Sequence, residues 1–422
     1  MFFKILCLLP IPRIRHNMFS VTNTLSEALI VIRDSLFGAP DEGSKAISLY
    51  ENEFAKFVGA KYAVSFASGR MTLYAILKSL NLKPDDEIII PAYTCVVVPN
   101  AILYAGIKPI YVDISPIDFN ATNSNILAAI TKRTKIIYIQ HTFGNPHLPL
   151  EALEFAKRNN ILVLEDCAHI FCADTPAEHK VGSLGHVAFY STDHSKYIST
   201  YLGGIATTSD ENLFKALKNL QNSISEVPFK RRQKLTFILE SIFYSRYFYW
   251  IGGILMKILD KIGLLFYFRD ELSLDRPTWY QYPSKLSAWQ ARLGLSQLAL
   301  APQIIKTRKD KCQKYDRLLD LQIANRAPAP LRYSFLVRDP KLITRMLLWR
   351  LDIGFWFTSP FHGRSSNLAD LGYTVGSCPV SEFVSKHIVN LPTHEKFDIK
   401  VVERLLKSID LKGEIIKYPV TD

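Results

Sequence analysis

KIIYIQHTFGNPHLPLEALEFAKRNNILVL, residues 135–164, decides the fold. Its first six residues are rich in Ile and Tyr and read as a strand. Residues 150–158 read as a helix, and residues 161–164 form a continuous apolar strand. Strand, helix and strand in this order make a βαβ crossover, which implies parallel strands in a sheet buried on both faces.

The alternation extends in both directions. Toward the carboxyl end, residues 187–190 and 204–207 read as further strands. Toward the amino end, strands at 110–112, 87–90 and 62–66 alternate with helices at 125–130, 96–104 and 72–80. Before them, Ile47, Tyr50, Phe54 and Phe57 mark a helix over residues 46–58. The pattern predicts an α/β domain over about residues 45–210 with a mostly parallel sheet. In such sheets ligands bind beyond the carboxyl ends of the strands. The polar clusters at 67–70, 91–95, 141–145, 165–169 and 191–196 are therefore the places to look for chemistry.

Residues 235–268 differ in kind, being dense in aromatic and aliphatic side chains. Their longest uncharged run is 247–256, too short for the roughly 20 apolar residues of a spanning helix. Two readings stay open: a buried helical hairpin or subunit contact, and a helix lying in the plane of a membrane surface. The Gly252-Gly253 pair is placed at a turn between two short helices. Past Tyr282, SAWQARLGLSQLAL reads as a helix, followed after a short break by a basic helix over 304–319. Residues from about 325 to 420 read as a smaller α+β unit ending in an amphipathic helix at 401–409. The domain division is an N-terminal arm over 1–40, a large domain over 41–300 with the apolar insertion at about 230–275, and a small domain over 301–422. The arm is expected to pack on a neighbour, since its apolar run lacks the small-residue cleavage site of a signal peptide.

Composition narrows the classes. Of the 422 residues, 48% are hydrophobic and 21% charged, which is ordinary globular usage and excludes wholesale disorder. The net charge of +12 favours acidic partners such as phosphorylated substrates or an anionic membrane surface. No zinc-finger spacing or RNP-type run is present, which disfavours nucleic acid. The six cysteines form no CxxC pair, which argues against a zinc site or disulfide framework and for a reducing, cytoplasmic setting.

Three clusters carry chemistry. Ser68-Gly69-Arg70 puts a small residue and a glycine at a helix start, where unsatisfied N–H groups and the helix dipole suit a phosphate. Many strand-to-helix turns look the same, so this feature alone decides little. Glu165-Asp166-Cys167-Ala168-His169 ends an apolar strand in two acids, and a carboxylate there faces the crevice. Paired with a pyridine nitrogen it would strengthen the ring as an electron sink; unpaired, it is an exposed strand-end acid. Ser191-Thr192-Asp193-His194-Ser195-Lys196, with Gly203-Gly204 seven residues on, places a lysine in a cleft lined by hydroxyls. A partly desolvated lysine loses its proton and attacks aldehydes, whereas an exposed loop lysine does neither.

Taken in order, these segments resemble the DegT/DnrJ/StrS family of pyridoxal 5′-phosphate-dependent sugar aminotransferases, of the aspartate aminotransferase fold. The resemblance rests on FASGRMTLYAIL, DDEIIIPAYTCVVVPNAI, GIKPIYVDISP, ITKRTKIIYIQHTFGNP, VLEDCAHIF and VGSLGHVAFYSTDHSKYISTYLGGIATT. It implies a three-layer large domain and a smaller C-terminal domain. It places Lys196 on the Schiff-base lysine, Asp166 on the acid pairing with the pyridine nitrogen, and His169 near the cofactor's 3′-oxygen. Ser191, Gly69 and Arg70 fall on the phosphate-holding positions, and Asn222 on an asparagine that reaches the phosphate across a homodimer.

Four positions depart from the pattern. Arg70 stands where the family has Thr, exchanging a hydroxyl for a guanidinium. Cys95 stands where many relatives stack an aromatic ring on the cofactor, so that either Cys95 or Tyr93 packs there, with Cys95 favoured. Lys285 and Ala288 stand near Gln290 where Arg and Glu are common, which leaves the substrate open. The resemblance implies transfer of an amino group from an amino acid such as glutamate to a nucleotide-linked keto-sugar. Rival expectations are a sugar dehydratase, whose lysine position is typically His, and a membrane-surface scaffold keeping the fold, with residues 235–268 against the inner face of the membrane.

Overall fold

The computed structural model describes residues 22–39, 42–171, 180–244, 249–268, 275–321, 329–341, 356–396, 398–400, 403–404 and 413–416. The predicted helix at 401–409 and the apolar run before residue 18 fall largely or wholly outside these ranges.

The large domain is built on a seven-stranded sheet. Its strands are β1 (Tyr62–Phe66), β2 (Glu87–Pro91), β4 (Lys108–Val112), β5 (Thr134–Gln140), β6 (Leu162–Asp166), β7 (Val187–Ser191) and β8 (Gly204–Thr208). A short β3 (Thr94–Cys95) lies outside the sheet. The order across the sheet is β1-β8-β7-β6-β5-β2-β4. All neighbours are parallel except β8, which runs antiparallel to β1 and β7. The start of β8 therefore lies at the carboxyl ends of β1 and β7, with Gly204 opposite both Phe66 and Ser191.

Helices cover both faces. They include α1 (Leu25–Phe37), α2 (Gly43–Val58), α3 (Gly69–Ser79), α4 (Val97–Tyr104), α5 (Asn123–Ala128), α6 (Leu150–Arg158) and α7 (Glu211–Ser223). One apolar cluster packs α3 and α4 against Val64, Ile88, Ile136, Leu164 and Phe189. Another packs α2 against Ala63, Ala188 and Ile205 on the other face. Successive side chains of a strand point to opposite faces, so continuous apolar runs such as Ile88-Ile89-Ile90 are buried on both sides. The arm's helix α1 is tied to its own chain. Its Glu27 accepts a 2.8 Å hydrogen bond from Gln297, and its Asp34 pairs with Arg292 at 3.2 Å.

The insertion forms a helical hairpin, α8 (Lys230–Phe243) and α9 (Tyr249–Lys261). Gly252 and Gly253 are not at its turn, as the glycine pair suggested, but inside α9. A Cβ at Gly252 would lie 2.4 Å from the carbonyl oxygen of Phe243, so the glycine lets α9 approach the end of α8. Among the described residues, no helix is long and apolar enough to cross a membrane. The outer side of α9 exposes Ile251, Ile254 and Ile258, with Ile262 just past its end, next to exposed Lys257 and Lys261.

The break expected before residue 304 is absent. Helix α10 (Ala288–Leu319) is continuous with Pro302 inside it, and the division drawn at 300/301 falls within it. Proline removes one hydrogen bond, but Leu298, Ala301 and Ile304 around it are buried, and that packing holds the helix on course. Beyond α10, β9 (Arg332–Leu336) pairs antiparallel with β11 (Ile388–Pro392), and α11 (Pro379–His387) precedes β11. The Arg308 guanidinium on α10 donates to the Leu331 carbonyl at 2.8 Å and to Thr393 Oγ1 at 2.6 Å, tying the helix to this smaller sheet. A parallel bridge from β10 (Phe361–His362) to β3 brings the C-terminal part against the carboxyl edge of the large sheet.

Candidate active site

A cavity of about 240 Å³ opens at that edge, lined by Gly69, Arg70, Cys95, Asp166, His169, Ser191 and Lys196. The strands deliver these side chains by position alone. Asp166 ends β6 and Ser191 ends β7. Gly69 opens α3 just after β1, capped by the Ser68 hydroxyl, which accepts from Met71 N at 3.3 Å. Lys196 sits in a loop closed by Thr192 and Thr200, whose hydroxyls lie 2.7 Å apart and whose backbones are joined by a 2.9 Å hydrogen bond.

The electrostatics divide the residues. Burial lowers the Lys196 ammonium to about 8, against the opposing pull of Asp193, Cys95 and Asp166. Its Nζ lies 5.6 Å from the centre of the Trp356 ring. Burial raises the Asp166 carboxyl, while Tyr138, which donates to Oδ2 at 2.5 Å, and Ala168 N, which donates to Oδ1 at 2.8 Å, hold the charged form. Burial also pushes His169 well below its usual range, so its imidazole is neutral. Its Nδ1 accepts from Phe143 N at 3.3 Å, and the ring stacks between Phe143 and Trp356.

Two expected positions do not line the cavity of this chain. Tyr93 is buried with its ring against Phe119, Phe143 and Phe357, and its hydroxyl accepts from Phe357 N at 3.0 Å. Tyr93 lies in the bend between β2 and β3 and packs into the interior, whereas Cys95, in β3, lines the cavity. Asn222 is exposed on α7 and lies outside this protomer's cavity. It is the neighbouring Gln221 that turns inward, donating to Glu51 and to the Ser65 carbonyl at 2.7 Å each.

Sequence reasoning missed Gln140, Phe268, Trp356, Phe357 and His362, all on the cavity wall. Gln140 stands at a strand end and was open to the same logic as Asp166. The other four arrive through tertiary contacts with no local motif. His141, Glu165 and Cys167 also lie together in the interior. Glu165 is engaged there, accepting from Gly182 N, Leu184 N and Gly185 N at 2.7–2.9 Å, and so braces the turn that leads into β7.

A mostly parallel sheet with a lysine, an acid and a capped helix start at its carboxyl edge defines the class, an aspartate aminotransferase-like transferase fold. The chain belongs to the DegT/DnrJ/EryC1/StrS aminotransferase family, whose sequence model matches residues 39–410. It is 36% identical to GDP-perosamine synthase of Caulobacter vibrioides over 172 residues, 41% of this chain and 46% of the relative. The chain thus spans about half the length of several curated relatives it matches. A longer match, at 26% identity, covers 86% of the chain and 87% of a pleiotropic regulatory protein of Geobacillus stearothermophilus. Among solved structures, an E. coli GDP-4-keto-6-deoxy-D-mannose-3-dehydratase with bound hydrated PLP superposes with a TM-score of 0.70 at 20% identity, over 93% of this chain and 99% of that one. DesI with its TDP-sugar product gives 0.68 at 18% identity over 95% of each chain. At these identities the structural likeness speaks for the fold.

Family membership brings pyridoxal 5′-phosphate as the cofactor, and the residues present fit it. Gly69 leaves a cradle that a Cβ would fill, lying 3.0 Å from Ser191 Cβ and 3.2 Å from its Oγ. His362 Nδ1 is buried beside the cavity with no hydrogen-bond partner among the described residues. Lys196 is held where a neutral amine is accessible near neutral pH.

Proposed function

We propose that this chain is a pyridoxal 5′-phosphate-dependent aminotransferase that moves an amino group from an amino acid, glutamate by preference, to a keto-sugar carried on a nucleotide. The observation that carries the reading is Lys196 in the same cavity as Asp166, its ammonium lowered to about 8 by burial. Bound there, the cofactor supplies an aldehyde for the lysine and a ring that takes up electrons. The neutral Lys196 amine would hold the cofactor covalently, and once free its Nζ would serve as the base that moves a proton from the donor's α-carbon. Asp166 would pair with the pyridine nitrogen and keep it protonated. Gly69, Arg70 and Ser191 would hold the phosphate at the first turn of α3. Cys95 would pack on the ring and the neutral His169 would serve the ring oxygen.

The reading includes a homodimer, in which Asn222, exposed on α7, would reach the phosphate end of the partner's site. A cytoplasmic enzyme resting on the inner face of an anionic membrane fits the exposed isoleucines of α9 and the exposed Lys230, Arg231 and Arg232 of α8. Dehydration is the second reading. It is disfavoured because the lysine is present and His194 is engaged with Asp193 at 2.9 Å.

The test uses the visible absorbance of the lysine-bound cofactor together with transfer of labelled nitrogen from glutamate to nucleotide keto-sugars. Wild type should give both, and Lys196→Ala should lose both. A wild-type protein that binds no cofactor and transfers no amine would sink the reading; a deoxygenated product without nitrogen would establish dehydration instead.

A further inference from the structure

Trp356 forms part of the cavity wall, and two cations face its ring. Lys196 Nζ lies 5.6 Å from the ring centre, and the guanidinium carbon of Arg332 lies 3.6 Å from it. One small sheet holds both partners of the closer contact. The Trp356 backbone N–H donates to Asn390 Oδ1 of β11 at 2.7 Å, and Asn390 Nδ2 donates to Ser334 Oγ of β9 at 2.8 Å. Ser334 is the register partner of Asn390, and Arg332, two residues before Ser334, shares its face of β9. Arg332 is only 4% exposed. Burial lowers its guanidinium, but only to about 9, so it is still charged where Lys196 titrates.

An indole face attracts cations, so Trp356 by itself would favour the ammonium form of Lys196. A guanidinium already laid on the ring reverses this. Both charges lie near one ring, closer together than the roughly 10 Å over which 0.1 M salt screens exposed charges. The other groups around Lys196 act differently. Asp193 of its own loop, Cys95 of β3 and Asp166 of β6 pull toward the charged form. His169, after β6, and His362 of β10 are lowered by burial, and Arg332 helps to keep both neutral. His194 and Arg70 of α3 carry charge, but each is drawn to Asp193. We propose that Arg332 is a positioning residue for Lys196, its positive charge, laid on the Trp356 ring, favouring the neutral amine that attacks an aldehyde. The inference rests on the reading of Lys196 as the lysine that holds the cofactor.

The ionisation of Lys196 can be read without the cofactor. Cofactor-free protein is acetylated by trace acetic anhydride across the pH range of lysine titration, and the extent at Lys196 is measured by peptide mass spectrometry. Wild type should show a midpoint near 8. Arg332→Met should move it up by about half a unit or more. Capture of pyridoxal 5′-phosphate at neutral pH, followed by absorbance, should then slow by about threefold or more. Arg332→Lys, which keeps a cation, should restore most of the shift. An unchanged midpoint in Arg332→Met would overturn the proposal, as would an ordinary lysine midpoint in wild type. An equal shift in Arg332→Lys would also overturn it, by tying the effect to the packing of the guanidinium and not to its charge. Arg332→Gln gives the same comparison if the methionine variant does not fold. A wild type that captures no pyridoxal phosphate would instead sink the cofactor reading, and the acetylation midpoints would still test Arg332.

Discussion

Tyr138 on β5 donates a 2.5 Å hydrogen bond to Asp166 Oδ2 on the parallel neighbour β6. Gln140, two residues after Tyr138, is the register partner of Asp166, so the tyrosine reaches diagonally from the same face. Inside the sheet the bond favours the carboxylate that burial disfavours. Tyr138→Phe should raise the Asp166 carboxyl further and weaken its hold on a protonated ring nitrogen. Hydrogen bonds to charged groups are worth about 1.5–3 kcal/mol. The expected outcome is a fall in single-turnover rate with the amino donor of roughly tenfold to a hundredfold. Cofactor affinity should change less. An unchanged rate would show that Asp166 needs no support from β5.

Lys196 makes a pH prediction with a definite sign. Its ammonium is lowered from 10.5 to about 8, so the neutral amine dominates above pH 8. The rate at which cofactor-free protein captures pyridoxal phosphate should rise up to about pH 8 and then level off. An unperturbed lysine would keep gaining rate up to about 10.5. Stopped-flow absorbance over this range decides between them.

Legibility from sequence follows distance along the chain. β5, α6 and β6 are local patterns, and Asp166, Ser191 and Lys196 are legible because each stands at or just after a strand end. Cys95 and His362 are 267 positions apart and meet only because β3 pairs with β10. No local periodicity announces that pairing, so Trp356, Phe357 and His362 were invisible. The Gly252-Gly253 pair misled for a related reason. A glycine in a helix and a glycine in a turn look alike until the partner surface, here Phe243, is known.

Gly204 sits where three strands and α3 converge. A Cβ on it would lie 2.5 Å from both the Cα and the backbone nitrogen of Gly69. Backbone cannot yield as a flexible side chain can, so Gly204→Ala must push α3 away from the sheet. Overpacking of this kind costs about 1–3 kcal/mol. The displaced turn is also the proposed phosphate cradle. The variant should show a lower melting temperature and weaker cofactor binding together. Gly69→Ala meets the Ser191 side chain at 3.0 Å and should lower cofactor affinity more than stability. Thermal melts and absorbance titrations on both variants separate the two effects.

The exposed face of α9 gives the last test. Ile254 is 58% and Ile262 63% exposed, while Gly252 and Met256 on the inner side are buried. Isoleucines at 251, 254, 258 and 262 follow helical spacing, and Lys257 and Lys261 flank them. An apolar stripe edged by lysines matches an anionic bilayer surface, where apolar burial and charge act together. Wild type should co-sediment with vesicles containing phosphatidylserine and much less with neutral ones. Ile254→Glu combined with Ile258→Glu should abolish sedimentation while leaving the melting temperature nearly unchanged, because neither side chain belongs to the core. Binding that persists in the double variant would place the contact elsewhere. No binding by wild type would leave the insertion with Phe268 on the cavity wall as its contribution to the site.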